Sequence, residues 1–346
     1  MAMKKILLIP IFSVFLISCN QDAPKDKLIT VTGEIPVEEI GISLIHEHTM
    51  VDWIGADSSG YHRWDRSEVV ERVLPYLKKA KGHGVQTFFD CTPAYLGRDP
   101  YVLRELSQKT GLNIVTNTGY YGAVEDKFVP QHAFEDTPEE IAKGWIDEYN
   151  NGIDGSDIHP GFIKIAVDKG DTLSATDTKL IKAAAITHKA TGLTIVSHTG
   201  PNAPAFAQIE VLKKLNVSPE AFVWTHAQGG TPEGYIRAAR QGAWISLDHV
   251  QKTASKNSKK PGRIAWFVTR LSKLKKEGLL NKVLISHDSG WYTVGEDNGG
   301  DFRGYTDIFE HLIPALKENG FTQEDIHLLL VKNPQRAYAV NIRTTN

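Results

Sequence analysis

Ile42-Ser43-Leu44-Ile45-His46-Glu47-His48 is the stretch whose reading decides the fold. A short apolar run reads as a strand and ends in two histidines one residue apart. On a strand, residues i and i+2 project to the same side, so His46 and His48 stand side by side with ring nitrogens free to share one cation. Imidazole is the commonest protein ligand for zinc-like ions. The pair alone is equally compatible with a solvated strand, and the rest of the chain must separate the two readings. What the motif does fix is how the first strand ends. An open doubly wound sheet would usually follow that strand with a glycine-rich phosphate loop. This chain follows it with His-x-His.

Outward from that strand, apolar runs alternate with amphipathic stretches. The strand-like runs are Ile42–Ile45, Val85–Asp90, Asn113–Asn117, Phe162–Val167, Leu193–Ser197, Phe222–Thr225, Ala243–Leu247 and Lys282–Ser286. Between them lie helix-like segments at Arg66–Lys81, Asp99–Thr110, Pro138–Tyr149, Thr178–Thr191, Ala203–Leu215, Pro232–Gln241 and Ile264–Glu277; Arg303–Asn319 and Gln323–Val331 close the chain. Regular alternation implies a parallel sheet. Eight units over about 300 residues fit a (β/α)8 TIM barrel, in which chemistry sits at the C-terminal ends of the strands.

The gross numbers describe an ordinary globular protein, large enough for one big domain or two small ones. The chain has 346 residues, formal net charge −2 and 41% hydrophobic residues. Balanced charge and the lack of a basic run interleaved with aromatics argue against nucleic-acid binding. The N-terminus reads differently. Two lysines within Met1–Lys5, an apolar run Ile6–Ile17 and then Leu16-Ile17-Ser18-Cys19 form a secretory signal that resembles a lipobox. The sequence therefore divides into a signal peptide at 1–18, a polar flexible tether at 19–30 and a barrel at 31–346. Cys19 is expected to carry the lipid, which places the protein in the cell envelope, anchored to a membrane. Cys91 is then the one cysteine of the processed chain. It lies in a strand-like run, where core packing is its expected role.

The strand ends are rich in ligand chemistry. They carry His46 and His48, Lys164, His198, His226, Asp248-His249 and Ser286-His287-Asp288. Unpaired polar groups on apolar strands carry a desolvation cost that convergence on a metal would remove. Lys164 leaves two readings open. Burial on an apolar strand makes a lysine lose its proton more easily, and a neutral amine reacts with carbon dioxide to give a carbamate able to bridge two metals. Alternatively the ammonium pairs with Asp168 or another carboxylate.

Taken in order, these pieces resemble the phosphotriesterase-like members of the amidohydrolase superfamily. The resemblance runs from His46-Glu47-His48 through Gly97-Arg98-Asp99, Thr118 to Tyr121, Ile163-Lys164, Ser197-His198, Thr225-His226, Leu247-Asp248-His249 and Ser286-His287-Asp288 to Asn333-Pro334. It implies two divalent metal ions, zinc or similar. His46, His48 and Asp288 would bind the more buried ion and His198 and His226 the more exposed one. Lys164, as N6-carboxylysine, would bridge them together with a hydroxide. Asp288, His249 and Tyr121 are the implied catalytic residues, for proton acceptance, proton relay and substrate contact. One departure stands out. True phosphotriesterases have an aspartate three residues after the strand-six histidine, where this chain has Gly229.

Three functions follow as expectations. The first is hydrolysis of a small carboxylic ester, a lactone above all, with Trp53, Trp64, Trp291 and Tyr292 available to stack on a sugar-like ring. Lys256, Lys259, Lys260 and Arg263 are available to an anionic or hydroxylated substrate. The second is phosphoester or phosphotriester hydrolysis at the same metals. The third is a ligand-binding lipoprotein with a relict centre. The membrane, through Cys19, and a homodimer complete the set of partners considered.

Overall fold

The computed structural model describes residues 26–251 and 263–345, together with Met1. The signal, Cys19 and Lys256, Lys259 and Lys260 lie outside the described residues. Twelve strands run in chain order among those described: β1 Lys27–Thr30, β2 Gly33–Pro36, β3 Ile42–Val51, β4 Val85–Asp90, β5 Asn113–Val115, β6 Asn117–Thr118, β7 Phe162–Ala166, β8 Ile195–His198, β9 Phe222–Thr225, β10 Trp244–Leu247, β11 Val283–Ile285 and β12 Gly290–Thr293. β6 to β11 pair in sequence order, each parallel to the next, and β12-β3-β4-β5 form a second parallel set. The two sets are one barrel. Its third strand is interrupted at Thr116 between β5 and β6, and its eighth between β11 and β12, so each broken strand belongs to both sets. The chain is a (β/α)8 TIM barrel.

The helices form where caps and apolar faces coincide. Asp65 accepts from the backbone N–H groups of Ser67 and Glu68 to start the helix Arg66–Gly82. Asp99 does the same for Pro100–Thr110, which ends at Gly111 in the left-handed region. Thr137 with Glu140 and Ser174 with Asp177 form reciprocal capping boxes. These ends fall within a few residues of the sequence-derived bounds. The last two segments differ. Residues 308–312 and 328–332 are single π-helical stretches inside longer helices, and the segment expected from Arg303 begins at Ile308.

Two layers of apolar side chains hold the barrel. The outer one lies between strands and helices and includes Leu44, Phe88, Ile114, Ile163, Ile195, Trp224 and Ile245. The inner one fills the barrel with Ile45, Phe89, Cys91, Val115, Phe162, Val196, Val223, Trp244 and Leu284, joined by Leu28 and Tyr338. Cys91 is thus a packed core residue, and burial raises its thiol pKa well above the usual value. Leu28 corrects the domain bounds. Residues 27–30, expected to belong to a flexible tether, form β1 in a hairpin with β2. The polar stretch ends before Leu28-Ile29, whose side chains are buried, and burial of apolar surface outweighs the entropy of a free tail.

One irregularity positions the chemistry. Leu44 pairs with Phe88 but Glu47 pairs with Asp90, so β3 spends three steps where β4 spends two. This is a β-bulge. Ile45 packs in the inner layer, and strict alternation would turn His46 outward. The extra residue resets the alternation, so His46 and His48 join the inner side while Glu47 faces away.

Candidate metal centre

The inner side chains change character toward the C-terminal ends of the strands. Phe162 gives way to Lys164 on β7, Val196 to His198 on β8, Trp244 to Ser246 and Asp248 after β10, and Leu284 to Ser286 and Asp288 after β11. The structure brings His46, His48, His198, His226 and Asp288 together above the apolar plug. Ligand atoms of His46, His226 and Asp288 lie within 4.8 Å of one another. Asp288 Oδ1 is 3.3 Å from His48 Nε2 and 3.7 Å from His46 Nε2. The rings of His198 and His226 are 4.4 Å apart.

Hydrogen bonds fix which nitrogen each histidine presents. Asp248 accepts from His46 Nδ1 at 3.0 Å and from His226 Nδ1 at 2.7 Å, and is braced by Ser246 Oγ at 2.7 Å and Gln228 Nε2 at 3.0 Å. Thr92 Oγ1 donates to the Met50 carbonyl, so it accepts from His48 Nδ1 at 2.8 Å. All three rings therefore keep Nε2 for a cation, the arrangement that orients metal-binding imidazoles. Burial lowers the His46 pKa to about 4 against the pull of Asp248, so the ring is neutral at physiological pH. Burial opposes ionisation of Asp288, yet its hydrogen bond to His48 and the charges of His226, His46 and His48 hold its pKa below the usual carboxylate value.

Lys164 is 1% exposed, and its Nζ has no hydrogen-bond partner. Asp168, the alternative partner, accepts instead from the backbone N–H groups of Val124 and Glu125. Burial lowers the amine pKa. An ammonium here would lie among histidines with no carboxylate oxygen within 4.0 Å among the described residues, Asp248 and Asp288 acting on it only from farther away; a carbamate would supply anionic oxygens in its place. The donor set, three oriented imidazoles, a fourth beside them, a carboxylate and an orphaned amine, fits a divalent metal pair.

The remaining site residues flank this group. His249 Nδ1 is 3.6 Å from Asp288 Oδ2, and burial lowers the His249 pKa to about 4. Tyr121 OH is 3.0 Å from His198 Nδ1, and burial raises the phenol pKa, so the hydroxyl keeps its proton. Gly119 makes this possible. Its φ is +121°, and a Cβ there would sit 2.1 Å from the Lys164 carbonyl oxygen. Glu47 secures the other side, accepting from Ser286 Oγ, His287 N, His287 Nδ1 and Ser289 N at 2.7 to 3.0 Å. That clamp holds the turn in which Asp288 takes a left-handed φ of 53°.

Of the aromatics, Trp53 and Trp291 stack at 5.3 Å and 17°, and Trp291 lies 4.5 Å from the His48 ring. Trp64 instead donates to Asp99 and lines a separate cavity of about 190 Å³ with Tyr61, Tyr95 and Tyr120. Tyr292 is buried. Neither is available to stack on a ligand at the histidine cluster. Sequence reasoning missed the supporting residues Asp248, Thr92 and Glu47. The signal for Asp248 was present in its place beside His249 at a strand end; Thr92 and Glu47 carried none.

Comparison with known proteins gives the family. The profile of the Phosphotriesterase family matches residues 26–338. A "Phosphotriesterase homology protein" of Escherichia coli (strain K12) is 29% identical over 300 residues, 86% of this chain and 98% of that one. An "Aryldialkylphosphatase" of Saccharolobus solfataricus is 30% identical over 322 residues, 90% of this chain and 99% of the other. The crystal structure of a mutant PTE-like lactonase of Deinococcus radiodurans superposes with a TM-score of 0.80 at 26% identity, covering 90% of this chain and 99% of that chain. The chain is a hydrolase that belongs to the phosphotriesterase family.

Proposed function

We propose that this protein hydrolyses a carboxylic ester, a lactone first among them, at a pair of divalent cations, zinc or a similar ion. His46, His48 and Asp288 would hold one ion, His198 and His226 the other, with Lys164 as N6-carboxylysine linking them. Such cations polarise the substrate carbonyl and make water acidic enough to attack at neutral pH. The chain does the rest. Asp288 would accept the proton of the attacking water oxygen and pass it to His249, whose lowered pKa suits transient rather than lasting protonation, so that it reaches the leaving alkoxide or bulk water. Tyr121 keeps its proton and offers a donor beside His198. The Trp53–Trp291 stack forms one wall of the mouth. The observation that carries the reading is the buried, partnerless Nζ of Lys164 on β7, between β6 and β8.

The lactonase from Deinococcus radiodurans supports the ester reading. The Saccharolobus relative, named for phosphotriester hydrolysis, supports phosphoesters as the second. Purified protein loaded with zinc or manganese, assayed against lactones, simple esters and phosphotriesters, tests both. Fastest turnover of lactones, with about two metal equivalents per chain by elemental analysis, is the expected result. Faster turnover of phosphotriesters moves the assignment to the second reading. Two bound metals with no turnover leaves a ligand-binding protein. We also propose the envelope location and lipid anchor at Cys19, supported by the Met1–Cys19 pattern, which precedes the family match at residue 26.

A further inference from the structure

We propose that the aromatic cavity beside the metal centre is a second binding site, one that takes a small organic cation of the alkylammonium class. The site stands apart from the hydrolytic reading and does not rest on it. The cavity measures about 190 Å³, below the roughly 300 Å³ at which drug-sized ligands begin to fit. It lies between the segments that follow three barrel strands. Tyr61 and Trp64 come from the segment after β3, Tyr95 and Arg98 from the one after β4, and Tyr120 from the one after β6. Glu148, on the helix Pro138–Asn151, and Asp154 add two carboxylates to the lining. The residue after Tyr120, Tyr121, reaches His198 instead, and none of the metal-centre residues lines this cavity.

Rings and charge both favour a cation. Tyr61 and Trp64 meet edge-on at 5.8 Å, and Tyr95 and Tyr120 at 5.6 Å, so two aromatic pairs share one small space. Burial raises the phenol pKa of Tyr61, Tyr95 and Tyr120, and these rings stay neutral. The face of such a ring is electron-rich and attracts a cation, most strongly one that has shed its water. Tyr61 already does so on its own chain, with the Arg66 guanidinium 4.9 Å from its centre. The charges add to this. Arg98 is committed to Glu148, to which Nη1 and Nη2 donate at 2.9 and 2.6 Å, and to the Asn117 carbonyl at 2.8 Å. Asp154 accepts from Tyr61 OH and lies 3.9 Å from Arg98 Nη2. One guanidinium thus faces two carboxylates, and the cavity keeps an excess negative charge. The backbone is bent to present these groups: Tyr95 has a φ of 64° and Asp154 one of 51°. A bulky residue in the left-handed region is strained, and such strain persists where its surroundings hold the side chain to a task.

The test titrates tetramethylammonium and choline into the metal-loaded full chain by calorimetry, beside neohexanol, which has choline's shape without its charge. The cations should bind at least about tenfold more tightly than the alcohol, the worth of a desolvated cation–π contact. Tyr95→Leu should weaken them at least about fivefold, while Tyr95→Phe, which keeps the ring, should stay within about twofold of the parent. Asp154→Asn should weaken them severalfold and flatten the dependence on salt. Glycerophosphocholine beside choline separates two sources of the same group: tighter binding of the former assigns a lipid headgroup, and of the latter a free solute. Equal affinity for neohexanol, no cation binding below about 10 mM, or affinities unchanged in both Tyr95→Leu and Asp154→Asn overturns the site. If Tyr95→Leu does not fold, Asp154→Asn decides alone. None of these readouts involves turnover, so the site stands or falls separately from the hydrolase.

Discussion

At the scale of single residues, Lys164 carries the most information. Its position on an apolar strand was legible, but two fates were open because sequence shows no distances. The structure gives Asp168 to the backbone of Val124 and Glu125, which takes that one partner away from the ion-pair reading. Lys164→Ala is therefore expected to lose metal and activity together, with short carboxylic acids restoring part of both. Elemental analysis alongside turnover checks this; full metal content in the alanine variant would remove Lys164 from the centre. Asp288→Asn separates ligation from proton acceptance, since an amide oxygen still binds metal but takes no proton. At saturating metal, kcat should drop about 10²- to 10⁴-fold. A drop of less than about threefold, far short of that range, with both metals retained would move the proton to His249 or solvent. Asp248 was quoted at a strand end without a role. Only the fold shows one carboxylate gripping the rings of both His46 and His226. Asp248→Asn should weaken metal binding about 10- to 100-fold, as competition with a chelator would reveal.

Elements were the most readable level, because apolar periodicity and caps act locally. Val85–Asp90 and Phe222–Thr225 form with the expected bounds. The interruptions at Thr116 and after Ile285, and the π-helical stretches, depend on contacts distant in sequence and left no local trace. The C-terminal tail shows the same dependence. His188, buried in the helix Ala175–Thr191, donates from Nδ1 to the Leu193 carbonyl and accepts the Arg343 N–H at Nε2. The second bond needs the neutral ring, since a protonated Nε2 cannot accept, and burial lowers the ring's pKa from the ordinary 6.5. A group depressed in this way stabilises the fold above pH 6.5 and loses that contribution as pH falls toward the folded-state pKa. His188→Gln should cost about 1–3 kcal/mol near pH 7. The gap in Tm between parent and variant should narrow toward about pH 5; a gap that widens on acidification would contradict the neutral-ring assignment.

For the whole molecule, alternation of eight strands and helices gave the architecture, and the order of motifs gave the family. The boundary at the N-terminal side came out less well. A polar segment read as tether ends at Asp26, and Leu28 belongs to the packing inside the barrel. A lipid on Cys19, as proposed, would lie only a few residues in sequence from a packed strand. Cys19→Ala should move the protein from the membrane fraction to the soluble one, or leave it unprocessed; unchanged attachment would end the lipoprotein reading. The bulge in β3 bears on the molecule as a whole as well. It is a phase shift: before it the strand is written in the register of the hydrophobic plug, and after it in the register of the reaction. Drawing Leu44 to His48 into regular alternation would send both rings into the helical layer, and deleting Ile45 would keep them inward only by taking that side chain out of the plug. The irregular step, as much as the histidines, is what a designer or a diverging lineage has to keep.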